Sequence, residues 1–243
     1  MEKKLNMSSI SENDLFDYGL HIFQNDDYFK FSIDSVLLAE FVDIHRNQKR
    51  VIDLCSGNAP ILIILGHKFG DKIDIIGVEL QKEVWSLGKK SLEINNIQNV
   101  EFLNLDIKDL PEIYKDSRFD IVTCNPPYFK KYDTSNLNDN HIKAIARHEI
   151  CITLDDVISI SSKMLKNGGY FYLVHRPERL SDIISLLKKY NFGLKRVQPV
   201  YDRDNTDCTL ILIEAIYNGK DYVKISSPLF LKNYSSYKNI FGR

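Results

Sequence analysis

Four consecutive residues, Asn125-Pro126-Pro127-Tyr128, combine an amide oxygen, two rigid prolines and a flat phenol ring. Proline fixes φ and has no N–H, and it biases the residue before it toward extended backbone. The Asn125 side-chain oxygen and the Pro126 backbone carbonyl are thereby held still, with the Tyr128 ring beside them. Such oxygens can accept the two hydrogens of an exocyclic amine on a planar substrate, and the ring offers a surface to stack on. An aromatic amine is a poor nucleophile because its lone pair is delocalised, so orienting it is worth a great deal. Pro-Pro alone would indicate only a turn. Here it directly follows Phe119-Asp120-Ile121-Val122-Thr123-Cys124, which reads as a buried strand.

A second group of polar residues falls at the ends of other apolar runs. Asp53 lies in Val51-Ile52-Asp53-Leu54, Glu79 closes the run Ile73–Val78, and Asp106 follows Val100–Leu103. Gly57 sits in the small-residue turn Ser56-Gly57-Asn58-Ala59 and precedes Glu79 by 22 residues. That is close to the spacing at which an acid closing a second strand meets the hydroxyls of a ribose. A pyrophosphate-binding loop needs three glycines; this turn has Cys55, Gly57 and Ala59, and no Walker lysine follows. A nucleoside ligand without phosphate asks less of it. A plain turn followed by a solvated surface acid is the alternative.

These residues need a scaffold that sets strand ends side by side. From residue 50 the chain alternates strand and helix. Strands are expected at 51–54, 73–78, 100–103, 119–124 and 170–174. Helices are expected from Pro60, over the stretch with Val84, Leu87, Gly88, Ser91 and Leu92 on one face, from Thr153 with Asp156 in a capping position, and from Pro177. Gly168-Gly169 is expected to stop one helix and Gly193 another. Two last strands, about Lys195–Tyr201 and Cys208–Ile216, have no helix between them and argue an antiparallel pair at one edge. The pattern predicts an α/β fold with a parallel sheet covered on both faces, binding its ligands where the winding reverses. Asp53, Gly57, Glu79, Asp106 and Asn125 all fall at the carboxyl ends of strands. Residues 1–49 are read as an N-terminal extension. It comprises a flexible tail, a hairpin over 15–31 turning at Asn25-Asp26-Asp27, and a helix Ile33–Val42 capped by Ser32. Residues 50–217 are the main domain, with a mobile loop at 129–150, and 218–243 a tail in which Pro228-Leu229-Phe230-Leu231 packs back.

At 243 residues, 44% apolar and 27% charged, the chain has the composition of a soluble globular protein. It has no run long enough to cross a bilayer and no apolar signal core at its start. Cys55, Cys124, Cys151 and Cys208 are widely spaced and form no Cys-x-x-Cys pair. They read as structural thiols in a reducing cytoplasm, not zinc ligands. The net charge of −1 hides an asymmetry: 16 basic and 23 acidic residues up to 142, then 16 and 10. A nucleic-acid partner would be held by a local basic face. Lys130, Lys131, Arg147, His148, Arg176 and Arg179 are its candidates, although each taken singly reads as a solvated surface charge. His148 and His175 have no Cys or His cluster near them, so no metal is expected.

Asp53-Leu54-Cys55-Ser56-Gly57, Gly77-Val78-Glu79, Asp106 and Asn125-Pro126-Pro127-Tyr128 resemble the successive motifs of class I S-adenosylmethionine-dependent methyltransferases. Three further stretches are Phe31-Ser32-Ile33-Asp34-Ser35-Val36-Leu37-Leu38, Ile145-Ala146-Arg147-His148-Glu149 and Val174-His175-Arg176-Pro177-Glu178-Arg179-Leu180. With them the chain resembles, over roughly residues 15–230, bacterial adenine-N6 methyltransferases that act on valine tRNA next to its anticodon. The resemblance implies a Rossmann-like class I methyltransferase fold, with a mostly parallel seven-stranded sheet, an antiparallel edge strand and a short N-terminal extension. It implies S-adenosyl-L-methionine as cofactor, surrounded by Asp34, Asp53, Gly57, Glu79, Asp106 and Asn125. It implies Asn125, Pro126 and Tyr128 as the catalytic set and a monomer binding tRNA through Lys130, Lys131, Arg147, Arg176 and Arg179. One departure is Ala59, followed by Pro60, where the family's loop usually has glycine. Enzymes methylating a glutamine amide of release factors share Asn-Pro-Pro-Tyr, but usually carry a larger helical N-terminal domain than 49 residues allow. A DNA adenine methylase would need a recognition domain. A ribosomal-RNA guanine-N2 methyltransferase and a catalytically silent RNA-binding protein are the other readings.

Overall fold

The computed structural model describes residues 10–15, 19–25, 28, 32–45, 47–115, 117–128 and 149–233. In chain order the strands are β1 (Ile10–Asp14), β2 (His21–Asn25), β3 (Arg50–Leu54), β4 (Asp74–Glu79), β5 (Val100–Asn104), β6 (Phe119–Cys124), β7 (Leu165–His175), β8 (Phe192–Tyr201), β9 (Cys208–Tyr217), β10 (Lys224–Ile225) and β11 (Leu229–Phe230). The α-helices are α1 (Ile33–Phe41), α2 (Pro60–Phe69), α3 (Lys82–Ile94), α4 (Leu110–Ile113), α5 (Leu154–Met164) and α6 (Leu180–Lys189).

The main sheet runs β10-β8-β9-β7-β6-β3-β4-β5, with β11 also pairing β8. Strands β3 to β7 pair in parallel, and β9 runs antiparallel to both β7 and β8. From β3 the chain winds outward through β4 to β5, then crosses back to lay β6 on the other side of β3. The winding therefore reverses between β3 and β6, at the residues singled out above.

Strand side chains alternate between faces, and both faces are buried. Val51, Ile75, Ile121 and Tyr172 join the core formed with α1, α2 and α3, while Ile52, Ile76, Val122 and Phe171 join the one formed with α4, α5 and α6. That is why these strands are apolar at nearly every position. Helix α2 starts at Pro60, where the missing N–H is no loss, and Pro60 through Gly66 are all buried. In α3 the buried set is Val84, Leu87, Gly88, Ser91 and Leu92. Helix α5 opens with a full capping box between Thr153 and Asp156.

Four local expectations are corrected. The hairpin pairs Ile10–Asp14 with His21–Asn25 and turns between them, not at Asn25-Asp26-Asp27; Phe29 and Phe31 lie outside the described residues. It is held from outside: Asn95 Oδ1 accepts the His21 N–H at 2.8 Å, and Ser91 Oγ accepts that of Phe23 at 2.9 Å. Gly168-Gly169 does not stop α5, which already ends at Met164. Gly168 adopts φ 79 inside β7, close to where the register with β6 shifts. Gly193 lies inside β8, and the left-handed residue after α6 is Asn191, at φ 61. Ser32 sits at the start of α1 with extended backbone, but its hydroxyl makes no capping bond. Among the described residues no helix is long and apolar enough to cross a membrane.

Helix α3 rests directly on the turn after β3. A Cβ on Gly88 would meet the Phe102 ring at 2.5 Å and both the Ala59 methyl and the Asn58 carbonyl carbon at 3.2 Å. Gly88→Ala is expected to lower the unfolding free energy by about 1–3 kcal/mol, as overpacked core sites do, measured by urea denaturation against wild type.

Candidate functional site

Asp53 and Thr123 are register partners across the β3–β6 pair, and both are fully buried. The Thr123 hydroxyl donates to Asp53 Oδ1 at 2.5 Å. Asp53 Oδ2 has no partner among the described residues. Burial pushes the Asp53 carboxyl up to about 7, with the Thr123 and Ser56 side chains pulling it back down and the nearby Glu79 adding to the rise. A buried carboxylate oxygen without a partner is a costly feature, and it lies at the reversal of winding.

Above it the chain makes a tight turn through three left-handed residues: Cys55 and Gly57, both at φ 58, and Ala59 at φ 74. Left-handed backbone is costly for a residue with a Cβ, which gives the physical content of the Ala59 departure. The Ser56 hydroxyl ties the turn down, donating to Asp53 O at 3.0 Å and accepting the Val78 N–H at 3.1 Å. The Glu79 carboxylate grips the same turn. Its Oε2 accepts the Gly57 N–H at 2.9 Å and its Oε1 accepts the Gln81 N–H at 2.8 Å. Glu79 is 7% exposed, and burial raises its carboxyl above the usual range. Nothing lies within 4 Å of where a Gly57 side chain would project, so the turn has an open face. Asp106 follows β5, half-buried, with Oδ1 accepting the Lys108 N–H at 2.9 Å.

Asn125 and Tyr128 meet residues from the first turn of α1. Asn125 Nδ2 donates to Ser35 Oγ at 2.9 Å. The Tyr128 hydroxyl lies 2.6 Å from Asn125 Oδ1 and 2.7 Å from Asp34 Oδ2. Asp34, expected beside the cofactor, thus meets the hydroxyl of Tyr128. Burial first, and then the Asp34 charge, push the Tyr128 phenol well above its ordinary value. Its ring packs at 5.0 Å from that of His175. His175 is fully buried and its Nδ1 accepts the Arg176 N–H at 2.8 Å, leaving the proton on Nε2, which has no partner among the described residues. Burial pulls its pKa down to about 3, so His175 is a neutral ring behind Tyr128 and not a base.

The expected RNA-binding cations divide. Lys130, Lys131, Arg147 and His148 lie outside the described residues. Arg176 is 43% exposed and paired loosely with Glu178 at 3.2 Å. Arg179 is corrected: its side chain is 13% exposed and donates to Glu149 at 2.6 Å and Asp182 at 2.9 Å. Two carboxylates already satisfy its charge, so its work is to fasten Glu149 beside Tyr128. Sequence reasoning passed over Ser35 and Thr123; the one signal for Thr123 was a hydroxyl in an otherwise apolar strand centre. Among the described residues, no cluster of three or more His, Cys, Asp or Glu side chains is arranged to hold a metal ion.

Residues 45–216 match a family model described as a methyltransferase domain. The tRNA1(Val) (adenine(37)-N6)-methyltransferase of Cytophaga hutchinsonii is 24% identical over 72% of this chain and 71% of its own. The release factor glutamine methyltransferase of Francisella tularensis is 27% identical over 67% of this chain and 57% of its own. A solved structure of a putative SAM-dependent methyltransferase from Streptococcus mutans superposes with a TM-score of 0.62, at 15% identity, covering 86% of this chain and 55% of that one. That likeness shows the fold.

Asp53 carries a raised pKa in the folded protein, so the folded state holds its proton more tightly than the unfolded chain does. Its contribution is therefore fully present below about pH 4 and is lost as pH rises through about 7. Ligand-free protein is expected to lose stability between pH 5 and 8. Asp53→Asn should flatten that slope and gain on the order of 2–4 kcal/mol relative to wild type at the upper end, read by urea denaturation across the range.

Proposed function

The chain belongs to the methyltransferase-domain family, and from that premise we propose that it moves the methyl group of S-adenosyl-L-methionine to N6 of an adenine in tRNA, the adenosine beside the anticodon of valine tRNA. The observation that carries this reading is the end of β6. There an asparagine carboxamide, pinned through its nitrogen and hydrogen-bonded to an aromatic residue, follows a strand paired with the one that leads into the Asp53-Gly57-Glu79 turn. The pairing with tRNA is supported by length, because the chain spans 71% of the tRNA-methylating relative against 57% of the release-factor one. A cytoplasmic enzyme follows from the same substrate.

The residues present fit the cofactor. A buried, unpartnered Asp53 Oδ2 suits the ammonium of its methionine part, since a cation there would restore the carboxylate that burial disfavours. The open face of Gly57 admits that part without a side chain in the way. Each Glu79 oxygen takes one backbone N–H and keeps a lone pair for a ribose hydroxyl. Asp106, half-buried after β5, would accept from the adenine amine. Bound there, the cofactor supplies a methyl group made electrophilic by its sulfonium.

The rest is orientation. Ser35 fixes the Asn125 carboxamide through its nitrogen, with Oδ1 on the side of the Tyr128 hydroxyl, and with the Pro126 carbonyl that oxygen accepts the two hydrogens of the amine. The nitrogen lone pair is then directed at the methyl carbon, and the growing positive charge on nitrogen meets two oxygens. Stacking on Tyr128 contributes about 1–3 kcal/mol. The target base leaves its stack to enter, with Arg176 on the phosphates.

Incubating the protein with total tRNA and labelled cofactor, then analysing nucleosides by mass spectrometry, is expected to yield N6-methyladenosine in valine tRNA. Label in release factor and none in RNA would overturn the substrate. Asn125→Ala is expected to slow transfer at least about a hundredfold with cofactor affinity by calorimetry within about twofold; equal loss of both would make Asn125 a structural residue.

A further inference from the structure

Asp34, Ser35, Asn125 and Tyr128 form one hydrogen-bonded unit whose hydrogens do not suffice for its acceptors. The Tyr128 hydroxyl carries one hydrogen yet lies 2.7 Å from Asp34 Oδ2 and 2.6 Å from Asn125 Oδ1. Asn125 Nδ2 is on Ser35 Oγ at 2.9 Å, so it is the carboxamide oxygen that faces the phenol. Two acceptors thus compete for one hydrogen. The acceptor with a full negative charge holds it more strongly than the neutral amide. Given that Asn125 Oδ1 receives the substrate amine, as proposed above, the outcome of that competition decides whether the oxygen meets the amine unshared or with one lone pair already taken.

We propose that Asp34 is a positioning residue for methyl transfer: it draws the Tyr128 hydroxyl hydrogen to itself and so leaves the Asn125 oxygen unshared, a stronger acceptor for the substrate amine. The phenol then faces Asn125 with a lone pair. Asp34 acts through Tyr128 and touches neither substrate nor cofactor in this role. The competing account makes Asp34 only a first-turn acid favouring the start of α1.

The two accounts differ in a double-mutant cycle. Asp34→Ala leaves the phenol with Asn125 alone, and single-turnover methylation of valine tRNA is expected to fall about tenfold, the worth of one ordinary hydrogen bond, with KM little changed. In a Tyr128→Phe background no hydroxyl competes, so adding Asp34→Ala should change the rate by less than about twofold. A similar loss in both backgrounds overturns the proposal. Asp34→Asn keeps the volume with a neutral acceptor and should fall between, which guards against a variant that simply misfolds. An activity-independent readout is the ζ-carbon resonance of ¹³C-tyrosine-labelled protein, with Tyr128 identified by its loss in Tyr128→Phe. It is expected to move in Asp34→Ala and to stay nearly in place in Asn125→Ala; the reverse pattern places the hydrogen on Asn125 and overturns the proposal. The expected resonance pattern with no RNA methylation by wild type would sink the substrate reading and leave the hydrogen on Asp34.

Discussion

The parallel register between β3 and β6 is the constraint on which the site depends. It sets Asp53 beside Thr123 and Leu54 beside Cys124, so the chain leaves the two strands at one level and on adjoining tracks. The turn through Gly57 and the turn through Asn125 are therefore neighbours without either having to reach. A slip of one residue would send Asp53 to the opposite face of the sheet. It would then stand among Ile76, Val78 and Val122 of the neighbouring strands, against α5 and α6. The apolar residues on either side of Asp53 and Thr123 hold the register, because any other pairing buries polar side chains without partners.

Much of the frame could be read from residue order alone. The alternation of apolar runs with Pro60, Thr153 and Pro177 marked where helices begin, since these act through the local backbone and need no distant partner. The buried face of α3 was legible for the same reason: spacing along one helix is a local property. The glycines were not. Gly168 and Gly193 look like stops in the sequence, but each sits inside a strand. What explains Gly193 is the Gly219 carbonyl, 2.4 Å from where its Cβ would lie, a neighbour 26 residues away that no local pattern announces. The hairpin was misplaced because its second strand is fixed by Ser91 of α3 and by Asn95 just after that helix, not by the chemistry of its own turn.

The site shows the same divide. Asp53, Gly57, Glu79, Asp106 and Asn125 were recognisable because each ends a strand, and the fold brings strand ends together. The bond from Tyr128 to Asp34 was not legible, for α1 belongs to no strand–helix repeat and only tertiary packing lays its first turn on Tyr128. Arg179 looked like a surface cation in sequence. Its two carboxylate partners come from α6 and from Glu149, 30 residues before it. A charge's availability is a property of what surrounds it, which composition does not record.

The last described segment has a consequence for how the protein behaves in a crowd. A sheet border offers unpaired N–H and carbonyl groups on which another chain can add a strand. Here the outer side of β8 is occupied by two pieces of two residues each, β10 and β11, with Pro228 between them. Ladders that short, broken by a residue with no donor, give an incoming strand almost nothing continuous to copy, so the chain ends its own sheet and discourages fibrous growth from that side.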